Sequence, residues 1–308
     1  TWKDWGTTSE KVWRQNDSYT WVGVPSIYQD YNLWSNEDPG NIVMSGNWQR
    51  TSNITKYDNY GHPIEESHKD GSYTASIYAY ADALPVAIAT NAALSEIMIL
   101  DFEDESEVNW SIWASSNSEF SAQAHTGEQS LHFIGSTNYS VISKSFTSLN
   151  TSKDYTFSGW VKTNSVYPNL LAYVVHSGGG TYIPSAYSEG SGKWEYIEMK
   201  INLSNYSDIT SVDLYVRGGN NSAGQYGDCY WDDIRFYPKD ASMNTYTYDP
   251  LTWKLTSITD ANSTTTYYEY DDVGRLIGVR NQDKKLISKH NYTYDRNVVE
   301  EIPQDPIN

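Results

Sequence analysis

The sequence predicts an all-β protein in which an antiparallel sandwich interrupts an array of β-hairpins. Three observations carry that expectation. Aromatic residues make up 15% of the 308 residues, with 27 Tyr and 12 Trp against 6 Phe, and Tyr and Trp favour strands, where they bury a large area and keep a polar tip. A Tyr-x-Tyr-Asp unit recurs near the C-terminus. Between residues 101 and 239 the texture changes to polar alternating runs separated by Asn, Gly and Ser, the pattern of a sandwich.

The N-terminal 47 residues place Trp2, Trp5, Trp13, Trp21 and Trp34 among Asn, Asp and Ser. Strand patterning is weak there, so irregular β structure packed on the hairpin sheet is expected. Lys56-Tyr57-Asp58-Asn59-Tyr60-Gly61, followed by the alternating run 73–80, reads as two strands with a turn. The longest apolar stretch, 83–100, is interrupted by Pro85, Thr90, Asn91, Ser95 and Glu96, which excludes an ordinary membrane-spanning helix.

In the middle segment the plainest strand is 155–162, with alternation placing Trp160 opposite Tyr155, Phe157 and Val161. Further strands are expected at 130–134, 170–176, 194–201, 211–217 and 230–237, enough for a jelly roll. Trp110 and Trp194 read as core residues. His176-Ser177-Gly178-Gly179-Gly180 reads as a hairpin loop and Gly190-Ser191-Gly192-Lys193 as a turn.

The C-terminal unit reads Tyr246-Thr-Tyr248-Asp249, then Lys254-Leu255 and Ile258; Tyr268-Glu-Tyr270-Asp271, then Gly274-Arg275-Leu276 and Val279; and Tyr292-Thr-Tyr294-Asp295. The Asp residues at 249, 271 and 295 are 22 and 24 positions apart. Each unit is a hairpin, with Asp and Gly turning the chain. The expected organisation is 1–100 irregular β and degenerate hairpins, 101–239 the sandwich, and 240–308 the repeated hairpins.

Thirty-nine acidic against 21 basic residues give a net charge of −18, which repels phosphate backbones and anionic lipid. Nucleic acid and membrane insertion are therefore excluded as expectations. Cys229 is the only cysteine, so no internal disulfide and no paired-thiol metal or redox motif is present. The sequence begins at Thr1 without a basic-then-apolar leader, and reads as a piece of a longer polypeptide.

The repeated units resemble the RHS or YD-repeat family, which includes bacterial Rhs proteins, insecticidal toxin-complex components and teneurins. The resemblance covers 246–295 closely and 48–100 loosely. It implies hairpins that coil into a sheet-built shell, a scaffold rather than a catalyst, and a partner in the remainder of a larger exported polypeptide.

Asp101-Phe102-Glu103, His125-Thr126-Gly127-Glu128-Gln129-Ser130-Leu131 and Trp231-Asp232-Asp233-Ile234 occur in that order. Together they resemble the carbohydrate-binding-module jelly rolls of the family 4/9/22 type. That resemblance implies a structural Ca2+ where the first and last strands meet, held by oxygen ligands as a hard cation prefers. Glu103 would supply a side-chain oxygen, Asp101 its carbonyl, the turn holding Thr126 and Gln129 further carbonyls, and Asp232 would close the site. Strand parity favours Asp232 over Asp233, because alternate residues share a face and Asp232 then points inward with Ile234 and Phe236.

Sugar rings stack on exposed aromatics while neighbouring polar groups bond their hydroxyls. Trp160, Tyr173, Tyr182, Tyr187, Tyr215, Arg217 and Tyr226 are the candidates for such a face. His62, His68, His125, His132, His176 and His290 show no metalloprotease spacing, and no Gly-x-Ser-x-Gly elbow occurs, so no catalytic set is predicted. The leading expectation is a non-catalytic glycan-binding or adhesive module on a YD-repeat scaffold, extracellular or at the cell surface of a bacterium. A purely structural segment of a toxin-delivery shell and a glycoside hydrolase stand beside it as alternatives.

Overall fold

The structure is a computed structural model, and it describes residues 2–5, 12–22, 48–103, 111–112, 118–135, 140–220 and 225–293. The protein is nearly all β. Among the described residues, helical structure is confined to two three-residue 3-10 turns, Leu94–Glu96 and Leu203–Asn205.

Strands β1 (Trp2–Asp4) and β2 (Trp13–Gln15) form a short ribbon. Strands β3 (Asp17–Trp21), β4 (Trp48–Tyr57), β5 (Pro63–His68), β6 (Tyr73–Ala79) and β7 (Leu84–Thr90) then build an antiparallel meander. The chain leaves this sheet after Thr90 and returns at β21 (Ser242–Tyr248), followed by β22 (Leu255–Thr259), β23 (Thr265–Tyr270), β24 (Leu276–Arg280) and β25 (Leu286–Lys289). Strand β21 pairs directly with β7, Ser242 opposite Thr90 and Thr245 opposite Ala87, so ten strands form one sheet. The sheet therefore runs unbroken across the excursion of the chain between β7 and β21.

That excursion is the sandwich. Strands β8 (Met98–Leu100), β9 (Ser111–Ile112), β10 (Ser118–Ser121), β11 (Ser130–Phe133), β12 (Val141–Phe146), β13 (Asp154–Thr163) and β14 (Asn169–His176) come first. They are followed by β15 (Gly179–Tyr187), β16 (Trp194–Asn202), β17 (Ser211–Arg217), a small ribbon of β18 (Gly219–Asn220) and β19 (Gln225–Tyr226), and β20 (Cys229–Pro238). One sheet has the order β10-β11-β20-β13-β16 with β8 also on β20, and the other β15-β14-β17-β12-β9. Tyr155, Phe157, Val161, Trp231, Ile234 and Phe236 of the first meet Leu170, Ala172, Val174, Val212, Leu214 and Val216 of the second in one core. Burying each such large side chain contributes about 1.5–3 kcal/mol.

Entry and exit are neighbours, because β8 pairs with β20, Leu100 opposite Ile234 and Met98 opposite Phe236. Their outward residues Ile97, Ile99 and Tyr237 pack against Ala75, Val86, Ala87, Ala89 and Met243 of the ten-stranded sheet in a second core. Arg235 is 1% exposed at this seam and reaches the carbonyl oxygen of Asp260 (3.0 Å) and the Ser263 hydroxyl.

The hairpin turns share one chemistry. Asp58, Asp260, Asp271 and Asn281 each begin a five-residue turn whose first N–H donates to the carbonyl of the fifth residue. In each, the first side chain's Oδ1 accepts the backbone N–H of the fifth residue at 2.8–2.9 Å. The fourth residue has positive φ in all four: Gly61, Ser263, Gly274 and Lys284. A short carboxylate or amide one step past the strand thus supplies the acceptor that reverses the chain. Asp249 serves its longer turn in the same way, accepting from Leu251 (3.0 Å) and Thr252 (2.6 Å).

The third expected unit is met only in part. Tyr292 donates from its hydroxyl to Leu276 O (2.9 Å) without lying in a strand, and Tyr294 and Asp295 fall outside the described residues. Of the early tryptophans, Trp34 also falls outside them. Strand β3 joins the ten-stranded sheet, whereas β1 and β2 pair only with each other.

Candidate functional site

Alternation on β14 and β17 builds an outward face on the five-stranded sheet. Leu170, Ala172 and Val174, with Val212, Leu214 and Val216, point into the core, which turns Tyr173, Asp213, Tyr215 and Arg217 outward. Register aligns them in rows: Tyr182 beside Tyr173 and then Asp213; Leu171 beside Tyr215 and then Ser143; Tyr187 beside Asn169 and then Arg217. Tyr182 is 66% exposed and Tyr187 51%. The Tyr173 and Tyr182 rings lie 4.5 Å apart, tilted by 43°. A side chain at Gly180 would meet the Tyr173 hydroxyl at 1.8 Å, so glycine there leaves room for that ring.

Five sequence-predicted ligand residues, Tyr173, Tyr182, Tyr187, Tyr215 and Arg217, therefore share one face. The side chain of Tyr226 lies outside the described residues. Trp160 does not join them, because β13 belongs to the other sheet. Its ring stacks on His125 (3.9 Å, 14°) beside Tyr196 (5.6 Å), on the side turned to the hairpins. Trp194, expected in the core, instead meets His125 edge-on at 5.7 Å and is only partly buried. Trp110 lies outside the described residues.

A second cluster sits where β8 and β20 meet the 125–129 turn. The fully buried Asp232 accepts the backbone N–H groups of His125 (2.7 Å), Thr126 (3.2 Å) and Asp233 (2.8 Å). Asp233 takes His125 Nδ1 (2.6 Å) and the Thr126 hydroxyl (2.7 Å). Glu103 accepts from the N–H groups of Glu128 (2.9 Å) and Gln129 (2.8 Å). Asp101 Oδ1 accepts from Glu103 N (3.2 Å) across a positive-φ Phe102 that plugs the sandwich core.

The parity argument fails here for a definite reason. Between Ser158 and Trp160 of β13 the partner register on β20 steps from Arg235 to Asp232, one residue extra, and Asp233 has φ 48°. This bulge reverses the alternation, so Trp231 as well as Ile234 and Phe236 faces the core. Both aspartates meet the 125–126 turn instead. Gly159 lies opposite the bulge, where a Cβ would stand 2.4 Å from Ile234 Cδ1.

Burial pushes the Glu103 carboxyl up to about 8, opposed by its two backbone bonds and reinforced by Asp101 and Asp233. Burial and then Asp233 raise Asp232 well above the usual carboxylate range. Carboxylate oxygens are the hard donors that a calcium ligand set uses, and here those of Asp232 and Glu103 already accept backbone N–H groups. The structure turns amide N–H groups of Thr126 and Gln129 toward these carboxylates, where the sequence reading had carbonyls. Among the described residues, no three acidic, His or Cys side chains are arranged as they stand to hold a metal ion.

The hairpins cover this cluster. Tyr267 donates its hydroxyl to His125 O (3.1 Å), and Gln282 Nε2 lies 3.2 Å from His125 Nε2. Sequence reasoning missed His125, Asp233, Tyr267 and Gln282. Only the Asp-Asp pair at a strand carried a local signal.

Residues 97–223 match the family model of a carbohydrate binding domain. The match lies within the sandwich and leaves the ten-stranded sheet outside. Similar solved structures include the CBM22-1 xylan-binding domain of Paenibacillus barcinonensis Xyn10C, at 20% identity over 46% of this chain and 92% of that one, with a TM-score of 0.35. The C-terminal CBM6 of LamC, a marine laminarinase from Zobellia galactanivorans, matches at 13% identity over 46% and 98%, with a TM-score of 0.31. TmCBM61 in complex with β-1,4-galactotriose matches at 12% over 50% and 88%, with a TM-score of 0.29. No curated protein matches the chain. Among the described residues no helix is long and apolar enough to cross a membrane.

Proposed function

We propose that this chain is a non-catalytic glycan-binding module mounted on the hairpin scaffold of a larger YD-repeat polypeptide, exported by a bacterium to its surface or surroundings. The observation that carries the reading is the outward face of the five-stranded sheet. There Tyr173, Tyr182, Tyr187 and Tyr215 offer rings for stacking, with Arg217 and Asp213 beside them to bond hydroxyls. The matched carbohydrate binding domain supports it independently. Tyr182→Ala and Tyr215→Ala are expected each to weaken binding to a soluble polysaccharide by about 1–2 kcal/mol, roughly 5- to 30-fold. Affinity electrophoresis over a polysaccharide panel checks this, and unchanged affinity in both variants refutes the face.

The proposal includes a structural Ca2+ held by Asp101, Glu103, Asp232 and the turn carrying Thr126 and Gln129. Its support is the crowding of buried carboxylates at one place. The cation would neutralise that charge and tie β8, β20 and the turn together. Calcium at 100 times its dissociation constant should stabilise the fold by about 2.7 kcal/mol. A thermal melt that is the same in calcium and in chelator excludes it.

A further inference from the structure

Between the ten-stranded sheet and the sandwich lies a groove with a cavity volume of about 630 Å³. One wall is the β5–β6 turn with Asp70 and Tyr73, the other is the sandwich loop holding Ser148 and Asn150, and Glu65 and Glu96 line it between them. It shares no residue with the tyrosine face. We propose that this groove is a second, independent binding site for a neutral saccharide.

The floor is preorganised. Glu65 and Glu96 are 5% and 4% exposed, and each is fixed by three partners. Glu65 accepts from Thr55 Oγ1 (2.7 Å), Lys56 Nζ (2.9 Å) and the backbone N–H of Leu94 (2.9 Å). Glu96 accepts from the backbone N–H of Ala93 (3.0 Å), Lys153 Nζ (2.9 Å) and the Tyr155 hydroxyl (2.9 Å). Bonds to adjacent backbone groups, Ala93 N and Leu94 N, set the two carboxylates side by side.

The remaining capacity selects the ligand. An ionised carboxylate offers about four acceptor positions and an ammonium three donors. Among the described residues, each glutamate thus keeps acceptor capacity, and Lys56, bonded to Glu65, keeps donors. The groove presents an acceptor beside a donor twice, Glu65 with Lys56 and Glu96 with Lys153. Two neighbouring hydroxyls of a sugar ring match that pattern, one donating to the carboxylate and the next accepting from the ammonium.

Charge excludes the other classes. Lys56 and Lys153 stand against Glu65, Glu96 and Asp70, and the chain carries −18 overall, so a uronic acid or phosphate is repelled. A cationic ligand would have to displace a lysine already bonded to its carboxylate. The volume falls within the range of small-molecule pockets, about 300–1,000 Å³, and suits a short oligosaccharide.

The test is calorimetric titration of the full chain with neutral xylo-, gluco- and galacto-oligosaccharides, using an oligogalacturonate as the anionic control. Ser95→Trp and Ser148→Trp introduce a large side chain from two different exposed positions in the groove, and Tyr182→Ala/Tyr215→Ala removes the tyrosine face. The expected result is a neutral-sugar site that each tryptophan variant weakens at least 10-fold and that the double tyrosine variant keeps. Two tryptophan variants, folded by circular dichroism, that bind as the wild type does overturn the proposal, whether the wild type shows one site or none. Tighter binding of the oligogalacturonate than of any neutral sugar at this site also overturns it. A wild type that binds only in the groove, with no site that the double tyrosine variant weakens, would strike the function proposed above and leave this groove standing.

Discussion

Replacing Arg235 by Met tests how the sandwich is fastened to the hairpins. Arg235 lies on the last sandwich strand with 1% of its surface exposed, and its guanidinium donates to Asp260 O at 3.0 Å and to the Ser263 hydroxyl. Both acceptors belong to the turn between β22 and β23. A hydrogen bond to a charged group contributes about 1.5–3 kcal/mol, so two give about 3–6 kcal/mol. Removing a buried guanidinium relieves part of its desolvation cost, and Asp260 O keeps the Ser263 N–H at 3.0 Å. Methionine also retains the apolar stem. The net expectation for Arg235→Met is a loss of about 2–4 kcal/mol, read from urea unfolding followed by tryptophan fluorescence and far-ultraviolet circular dichroism. The midpoint should fall with the slope unchanged. A double-mutant cycle with Ser263→Ala should give a coupling energy of about 1–3 kcal/mol. A loss below about 1 kcal/mol without coupling would refute the reasoning and leave the seam to the apolar contacts of Ile97, Ile99 and Tyr237.

Two further outcomes are expected. Gly159→Ala sets a methyl 2.4 Å from Ile234 Cδ1 in the core, which should cost about 1–3 kcal/mol by overpacking; Ile234→Val deletes that Cδ1, so in the Gly159→Ala background it should restore part of the loss in the same urea assay, and no restoration counts against the bulge geometry. The Glu103 carboxyl is raised to about 8 in the folded chain against about 4.3 unfolded, so the folded state holds the proton more firmly. Its contribution to stability is then fully present below pH 4.3 and is lost as pH rises through 8, a change on the order of 5 kcal/mol. Melts in chelator across that window should show this decline in the wild type and a shallower one in Glu103→Gln; identical slopes would contradict the assignment.

How much could be read from the sequence follows from how local each cause is. The strands at 155–162, 170–176, 194–201 and 211–217 recur within one or two residues, because two-residue alternation is a property of the strand itself. The Tyr-Asp units mark turns because the aspartate bonds backbone N–H groups only a few residues on. The turns at Ser263 and Lys284 are harder to see, since their positive-φ residues are not glycines. The bulge at Asp232 and Asp233 depends on register with β13, and the stacking of Trp160 on His125 depends on a distant turn. Neither is encoded within a window of neighbouring residues, so parity misplaced Asp232 and Trp231, and Trp160, though turned away from the core as alternation predicts, was grouped with a face that belongs to the other sheet. The outward face of β14 and β17 was accessible because it needs only alternation and a core on one side.

The insertion also determines which way the tyrosine face looks. Entry strand β8 and exit strand β20 pair with each other, and their outward residues pack on the ten-stranded sheet. The six-stranded sheet is therefore the layer between hairpins and core, with Trp160, His125 and Arg235 at the seam. The five-stranded sheet lies on the far side of that core, and its tyrosines face away from the hairpins. A sandwich clamped in this way, by Arg235 and Tyr267 as well as by apolar contacts, presents its tyrosines in a fixed direction relative to the scaffold. On the function proposed above, that arrangement suits display, because stacking on Tyr182 and Tyr215 would not depend on what the hairpins are joined to.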